Sequence, residues 1–386
     1  MSNARTYLDF NATAPLRPEA RAAMLGALDC VGNPSSVHGE GRAAGALIEA
    51  ARRDVAALAG VPAGGVVFTS GGTEAANLAL TPSLRVGKDR RDFDLLLVSA
   101  GEHSCVLGGH RFAAEQVLVL PVEPSGRVDL AALDEALAEN AGRRALLAVQ
   151  AANNETGVIQ PVCEAAAKVR AAGGATVCDA VQAFGRTLCT AASLGADVLI
   201  LSAHKLGGPK GIGALVFADG NDHIGHVLVR GGGQERGQRA GTENVPAIAG
   251  FGAAARIASS APEAEHTRGL RDRLEEAVLR IAPDAVIFGA EVERLPNTSC
   301  FAVPGTSAET LLMVLDLDGV AVSSGSACSS GKIGKSHVLA AMGIDPALAS
   351  CAIRVSFGWS SREAAVEHFA GAFGRAIERI QRRRAA

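Results

Sequence analysis

Ala196-Asp197-Val198-Leu199-Ile200-Leu201-Ser202-Ala203-His204-Lys205-Leu206-Gly207-Gly208-Pro209-Lys210-Gly211 is the stretch on which the reading of this chain turns. Its first half holds a short apolar run, the pattern of a strand buried on both faces of a parallel sheet. Its second half sets a lysine directly before a glycine-rich turn. A lysine so placed ends a strand at the mouth of an α/β sheet, where such folds bind ligands. An amine partly desolvated there can lose its proton and attack an aldehyde to form a Schiff base. The chain has six lysines, and the four outside this stretch (Lys88, Lys168, Lys332 and Lys335) fall in helix-like or loop segments. A solvated lysine capping a strand is the plain alternative for Lys205, and its companions decide against it.

Upstream of this stretch, further apolar runs alternate with helical patterns. Val66–Thr69, Leu95–Val98, Val117–Leu120, Leu146–Val149 and Ala175–Cys178 have strand length without period-two alternation. Between them lie helical patterns at Ala43–Leu58, Glu74–Leu80, Leu130–Leu137 and Cys163–Ala171. This order predicts an α/β fold with a mostly parallel sheet wrapped by helices. After about residue 245 the texture changes. Two helical stretches, Ala247–Ile257 and Ala264–Ile281, precede strands at Ala285–Phe288, Ser299–Val303, Val320–Ser323 and Ile353–Phe357, and a last helix runs from Ser361 to Gln381. The expectation is a large α/β domain over residues 15–255 and a smaller α+β domain built from 1–14 plus 256–386.

A chain of 386 residues is long enough for two sizeable cores. Its 48% apolar and 20% charged residues are a globular profile. A net charge of −3 gives no electrostatic case for nucleic acid or an anionic membrane as partner. No signal peptide and no apolar run of membrane-spanning length is visible, so a cytoplasmic location is expected. None of the eight cysteines forms a Cys-x-x-Cys pair, so no metal site is expected. Most, such as Cys178, sit in apolar settings and read as small core residues. Cys328 differs. It lies in the small, polar run Ser323-Ser324-Gly325-Ser326-Ala327-Cys328-Ser329-Ser330-Gly331, part of a functional loop over about 323–334 in which a thiol is free to react.

Five of the six strands in the first part lead into chemistry. Thr69-Ser70-Gly71-Gly72-Thr73 joins a strand to a helix, a turn whose N–H groups and helix dipole suit one phosphate. His103 follows Asp94–Ser99 and can stack on an aromatic cofactor and exchange protons. Asn154 follows the next strand with amide donors. Asp179 ends Ala175–Cys178 and can pair with a protonated ring nitrogen, with Gln182 three residues on. Lys205 is the fifth. Each has an ordinary explanation singly, as a cap or a loop residue; all five at one edge do not. An aldehyde-binding lysine, a pyridinium-pairing aspartate and a phosphate turn together point to pyridoxal 5′-phosphate. Arg354, flanked by apolar residues, has the fork suited to a substrate carboxylate.

With these residues the chain resembles the cysteine desulfurases of the nitrogen-fixation and iron–sulfur-cluster type, in the class V branch of fold-type-I pyridoxal-phosphate enzymes. The likeness runs through Tyr7–Thr13, Gly32–His38, Thr69–Asn77, Glu102-His103, Asn153–Gly157, Asp179–Gln182, Ser202–Gly211, Gly231–Arg236, Arg239–Asn244, Ser324–Ser329 and Arg354–Gly358. The resemblance implies a seven-stranded sheet in the large domain and a homodimer with each site at the subunit boundary. It implies that Lys205 carries the cofactor as a Schiff base, with Asp179 on the pyridine nitrogen, Gln182 and Asn154 near the phenolic oxygen and His103 stacked on the ring. Gly72, Thr73, Ser202 and His204 would hold the phosphate, and Thr242 would reach in from the partner subunit. Arg354 and the loop of Asn33 would position the cysteine carboxylate, with His103 taking the proton of the substrate thiol. Cys328 would accept the sulfur and pass it to an iron–sulfur scaffold or another sulfurtransferase. An aminotransferase or a selenocysteine lyase would share the cofactor site without a general need for Cys328. A non-catalytic scaffold would be expected to lack Lys205 or Cys328.

Overall fold

The apolar runs of the first part all form strands, and one more joins them. In the computed structural model, which describes residues 5–87, 90–259, 263–324 and 336–385, a seven-stranded sheet contains β1 (Val66–Thr69), β2 (Leu95–Ser99), β3 (Val117–Leu120), β4 (Ala145–Gln150), β5 (Ala175–Asp179), β6 (Val198–Ser202) and β7 (Gly213–Phe217). Their spatial order is β1-β7-β6-β5-β4-β2-β3. All pairings are parallel except those of β7, which runs antiparallel to both β1 and β6. That strand, hidden behind the glycines of Gly207–Gly213, is the one the apolar pattern did not announce.

The continuous apolar runs serve two cores. Because side chains alternate across a strand, Leu199 and Leu201 join one cluster while Val198 and Ile200 join the other. The first cluster lies under α1 (Gly39–Ala59) and α3 (Val245–Ala258), and the second under α2 (Gly72–Ala79). α1 and α3 cross closely at Gly252, where a Cβ would stand 2.5 Å from the Ala51 Cα. β3 departs from the expectation of burial on both faces. It is the sheet's edge, and Val119 is 60% exposed.

A second, antiparallel sheet has the order β8 (Val286–Ile287), β9 (Thr298–Ala302), β11 (Ala352–Ser356), β10 (Ser323–Ser324). Helices α4 (Glu263–Ile281) and α5 (Glu363–Ala385) supply the rest of its core with Leu270, Leu274, Phe369 and Phe373. Phe369 and Phe373 stack at 5.5 Å, and Phe301 of β9 meets both edge-on. The expected strand Val320–Ser323 is two short ones, since Val320–Ala321 pairs in parallel with Thr6–Tyr7 while Ser323–Ser324 pairs with β11. The segment after Tyr7 then bridges to Ser356 at Asp9 and carries Asn11 and Ala12 to the carboxyl edge of the large sheet.

Candidate active site

The parallel register brings the carboxyl ends of four strands to one edge. Gln150 stands opposite Asp179, and Asp179 opposite Ile200. Gly213 pairs with both Thr69 and Ser202, so the Gly-Gly turn after β1 and the lysine turn after β6 flank one residue. Only glycine fits there, because a Cβ on Gly213 would lie 2.6 Å from the Gly71 carbonyl carbon and 2.6 Å from the Leu201 oxygen.

A cleft of about 350 Å³ opens at this edge, within the ~300–1,000 Å³ usual for small-molecule sites. Gly72 and Thr73 line it from the turn after β1, and His103 from the turn after β2. Asn154, Asp179 and Gln182 line it from the turns after β4 and β5, and Ser202, His204 and Lys205 from β6 and its turn. The structure thus brings together nine of the expected residues. Thr73 is not the helix cap that its position suggested. Gly71 caps α2, and Thr73 lies in the helix's first turn.

The half-buried Lys205 amine donates to the main-chain carbonyls of Asn11 and, at 2.8 Å, Ala12. Asp179 Oδ1 accepts the Val181 N–H at 3.0 Å. Burial raises the Asp179 carboxyl above its ordinary range, while the Val181 N–H and the charges of His103 and Lys205 pull it back. Burial and then the Lys205, Lys210 and Arg186 cations hold the His204 imidazole down at about 4, so it is neutral at physiological pH. His103 caps the short helix Ser104–Leu107, its Nδ1 accepting the Cys105 N–H at 3.1 Å and standing 3.0 Å from the Cys105 thiol. An Nδ1 that accepts leaves the proton of the neutral ring on Nε2.

Three expected residues lie elsewhere. Thr242 lines a separate hollow together with Thr69 and Ser70, on the far side of the same turn. Asn33 is exposed, its Oδ1 accepting the Ser35 N–H at 2.9 Å. Arg354 is wholly buried on β11, and the anion it faces is internal: Nη2 meets Asp9 Oδ1 at 2.7 Å and Nη1 donates to the Asn154 carbonyl at 2.9 Å. Cys328 lies outside the described residues.

Sequence reasoning also passed over contributors. Gln150 and Cys105 line the cleft. Gln150 could have been found as the polar residue closing an apolar run, but Cys105 looked like core. Cys178, Cys300 and Cys351 are indeed buried, whereas Cys163 is exposed. Behind His103 sits Glu102, fully buried, with Oε1 accepting the Gln150 N–H at 2.6 Å and Oε2 without a hydrogen-bond partner among the described residues. Burial, reinforced by the negative charge of Asp179, raises this carboxyl well above its ordinary value.

The chain's relatives share this architecture. The model of the aminotransferase class-V family matches residues 6–369. A cysteine desulfurase of Cereibacter sphaeroides is 44% identical over 364 residues, covering 92% of each chain. One from Sinorhizobium fredii is 41% identical over 366 residues, again 92% of each. The solved structure of a NifS-like protein from Rickettsia africae superposes with a TM-score of 0.85 at 33% identity, covering 97% of this chain and 99% of that one. Family model, relatives and cleft agree, and the chain belongs to the aminotransferase class-V family as one of its cysteine desulfurases.

Proposed function

We propose that this chain converts L-cysteine to L-alanine with pyridoxal 5′-phosphate and takes the sulfur onto Cys328 as a persulfide. The observation that carries the reading is the convergence of Lys205, Asp179, His103 and the Gly71-Gly72 turn on one cleft. The donor set fits the cofactor. It comprises an amine for an aldehyde, a carboxylate for a ring nitrogen, carboxamides at Gln182 and Asn154, and hydroxyls at Thr73 and Ser202 beside the N-terminus of an eight-residue helix. When bound, the cofactor supplies an aldehyde that captures amines and an electron-poor ring that stabilises negative charge at the substrate Cα.

The residues divide the remaining work. Lys205 would hold the cofactor and, once displaced by the substrate amine, take the proton from the cysteine Cα. Asp179 would hold a proton at the ring nitrogen; burial opposes its anionic form, and the Val181 N–H and the positive charge of Lys205 favour it. His103 would stack on the ring and take the proton of the substrate thiol at Nδ1, the nitrogen without a proton, giving up the Cys105 N–H that this atom accepts in the resting structure. Arg354 and the Asn33 loop are the proposed hold on the substrate carboxylate. For Arg354 this requires Asp9 to share the guanidinium, because the two form an ion pair at 2.7 Å.

Cys328 would act last. Its thiolate attacks the substrate sulfur, an S–S bond forms, and the Cβ–S bond breaks with its electron pair left on the three-carbon fragment. Protonation of that fragment gives alanine. The persulfide would then pass to a sulfur-acceptor protein, an iron–sulfur scaffold or another sulfurtransferase.

We further propose a homodimer with domains over 15–255 and over 1–14 plus 256–386. Val31 and Val37, 94% and 88% exposed on either side of Asn33, support a covered surface there. No described helix is long and apolar enough to cross a membrane. The test is an alanine assay on purified holoenzyme. Cys328→Ala should retain the cofactor's visible absorption and yield no sulfide from cysteine, while Lys205→Ala should lose the band of the lysine-bound cofactor. Normal desulfuration by the first variant, or an unchanged band in the second, would overturn these assignments.

A further inference from the structure

Both ends of the segment that carries Cys328 are fastened to the walls of the cleft. Ser323 of β10 stands opposite Arg354, whose guanidinium bonds the Asn154 carbonyl. Cys328 follows Ser324 by four residues, a reach of at most ~14 Å for extended chain. At the far end, the Ser336 hydroxyl donates to Glu155 Oε2 at 2.5 Å, and both residues are buried. The adjacent His337 donates from Nε2 to the Glu102 carbonyl at 2.8 Å. The two receiving residues neighbour cleft-lining ones, Glu155 beside Asn154 and Glu102 beside His103. Asn153 joins their loops, with Nδ2 donating to the Gly101 carbonyl at 3.1 Å and Oδ1 accepting the Glu155 N–H at 2.8 Å.

A helix cap alone does not require this arrangement. Ser336 Oγ accepts the Leu339 N–H at 3.0 Å, which completes the cap of His337–Ala341. The bond to Glu155 is additional to that cap and joins two buried side chains 181 residues apart in sequence. The His337 bond likewise contributes nothing to the cap. Neither residue lines the cleft, so each acts through the loops it holds.

We propose that Ser336 and His337 are positioning residues for sulfur transfer, tying the end of the Cys328 segment to the loops that bear His103 and Asn154. The proposal rests on Cys328 as the sulfur acceptor. It assigns the two residues to the last chemical step and not to cofactor or substrate binding, since misplacement of a reacting group by about 1 Å costs up to ~100-fold.

The test uses holoenzymes of Ser336→Ala, His337→Leu and His337→Gln, with Cys328→Ala alongside. Cofactor content, the absorbance change on adding cysteine, and the single-turnover rate of alanine formation are measured for each. Ser336→Ala and His337→Leu should keep cofactor content and the cysteine-induced absorbance change within about twofold of the parent, and slow alanine formation tenfold or more. His337→Gln, which keeps an N–H donor, should restore most of the rate. Parental rates in both Ser336→Ala and His337→Leu, with Cys328→Ala inactive, would overturn the positioning role alone. A parallel loss of cofactor, substrate response and rate in His337→Leu that glutamine does not rescue would do the same, marking the residue as structural. An active Cys328→Ala would overturn the underlying assignment instead.

Discussion

Glu102 shows how a residue outside the cleft can shape the charge within it. A second carboxylate so close to Asp179 would repel it, and burial, with the charge of Asp179, shifts Glu102 toward its protonated form. This has a consequence for stability. The folded-state pKa lies well above the unfolded value of about 4.3, so the contribution is whole below that value and is lost as pH rises through the folded pKa. Glu102→Gln removes the titration, and its melting temperature should fall less than the parent's as pH rises above the unfolded value of about 4.3. Calorimetry giving superimposable pH profiles would refute the raised Glu102 pKa. Lys205, Asp179 and His103 were legible because each is a polar residue closing an apolar strand. Glu102 was not read that way: adjacent to a functional histidine, its role depends on burial, which only the packed loops create. Arg354 was legible as an anion partner, but the anion it meets in the fold, Asp9, is 345 residues away in sequence.

At the scale of elements, the apolar runs revealed six strands of the large sheet, and in all but the edge strand β3 burial of every residue but at most a terminal one accounts for the missing alternation. β7 escaped because glycines open it, and those glycines answer to the site. Gly213→Val would force the antiparallel strand off the Gly71 turn, costing roughly 1–3 kcal/mol of stability as overpacking does and lowering cofactor retention. Gly252→Val meets Ala51 at the α1–α3 crossing instead. It should cost a similar amount while retained cofactor stays at the parental level in the folded fraction. Equal effects on cofactor retention in the two variants would separate Gly213 from the site. β3 was named as a strand but misplaced as an inner one, since edge position is decided by which neighbours pair with it and not by its own composition.

For the whole molecule, the division of labour follows from topology. The large sheet supplies the cleft, the N-terminal segment brings the Asn11 and Ala12 carbonyls to the Lys205 amine, and the second sheet holds Arg354 against the Asn154 carbonyl. Such convergence of segments far apart in sequence cannot be read from local pattern. Thr242, in a hollow with Thr69 and Ser70 outside the cleft, and the exposed Val31 and Val37 favour the proposal of a site completed by a second copy. Sedimentation should show the parent as a dimer, and Val31→Asp with Val37→Asp should shift it toward monomer with loss of activity. A fully active monomeric parent would contradict the proposed assembly. Transfer of sulfur to Cys328 can be read by intact-protein and peptide mass spectrometry after one turnover with cysteine, without an acceptor. We expect one added sulfur on the Cys328 peptide, and none in Cys328→Ala. Sulfur found on the Cys105 peptide, whose thiol lines the cleft, or alanine released at the parental rate by Cys328→Ala, would contradict it.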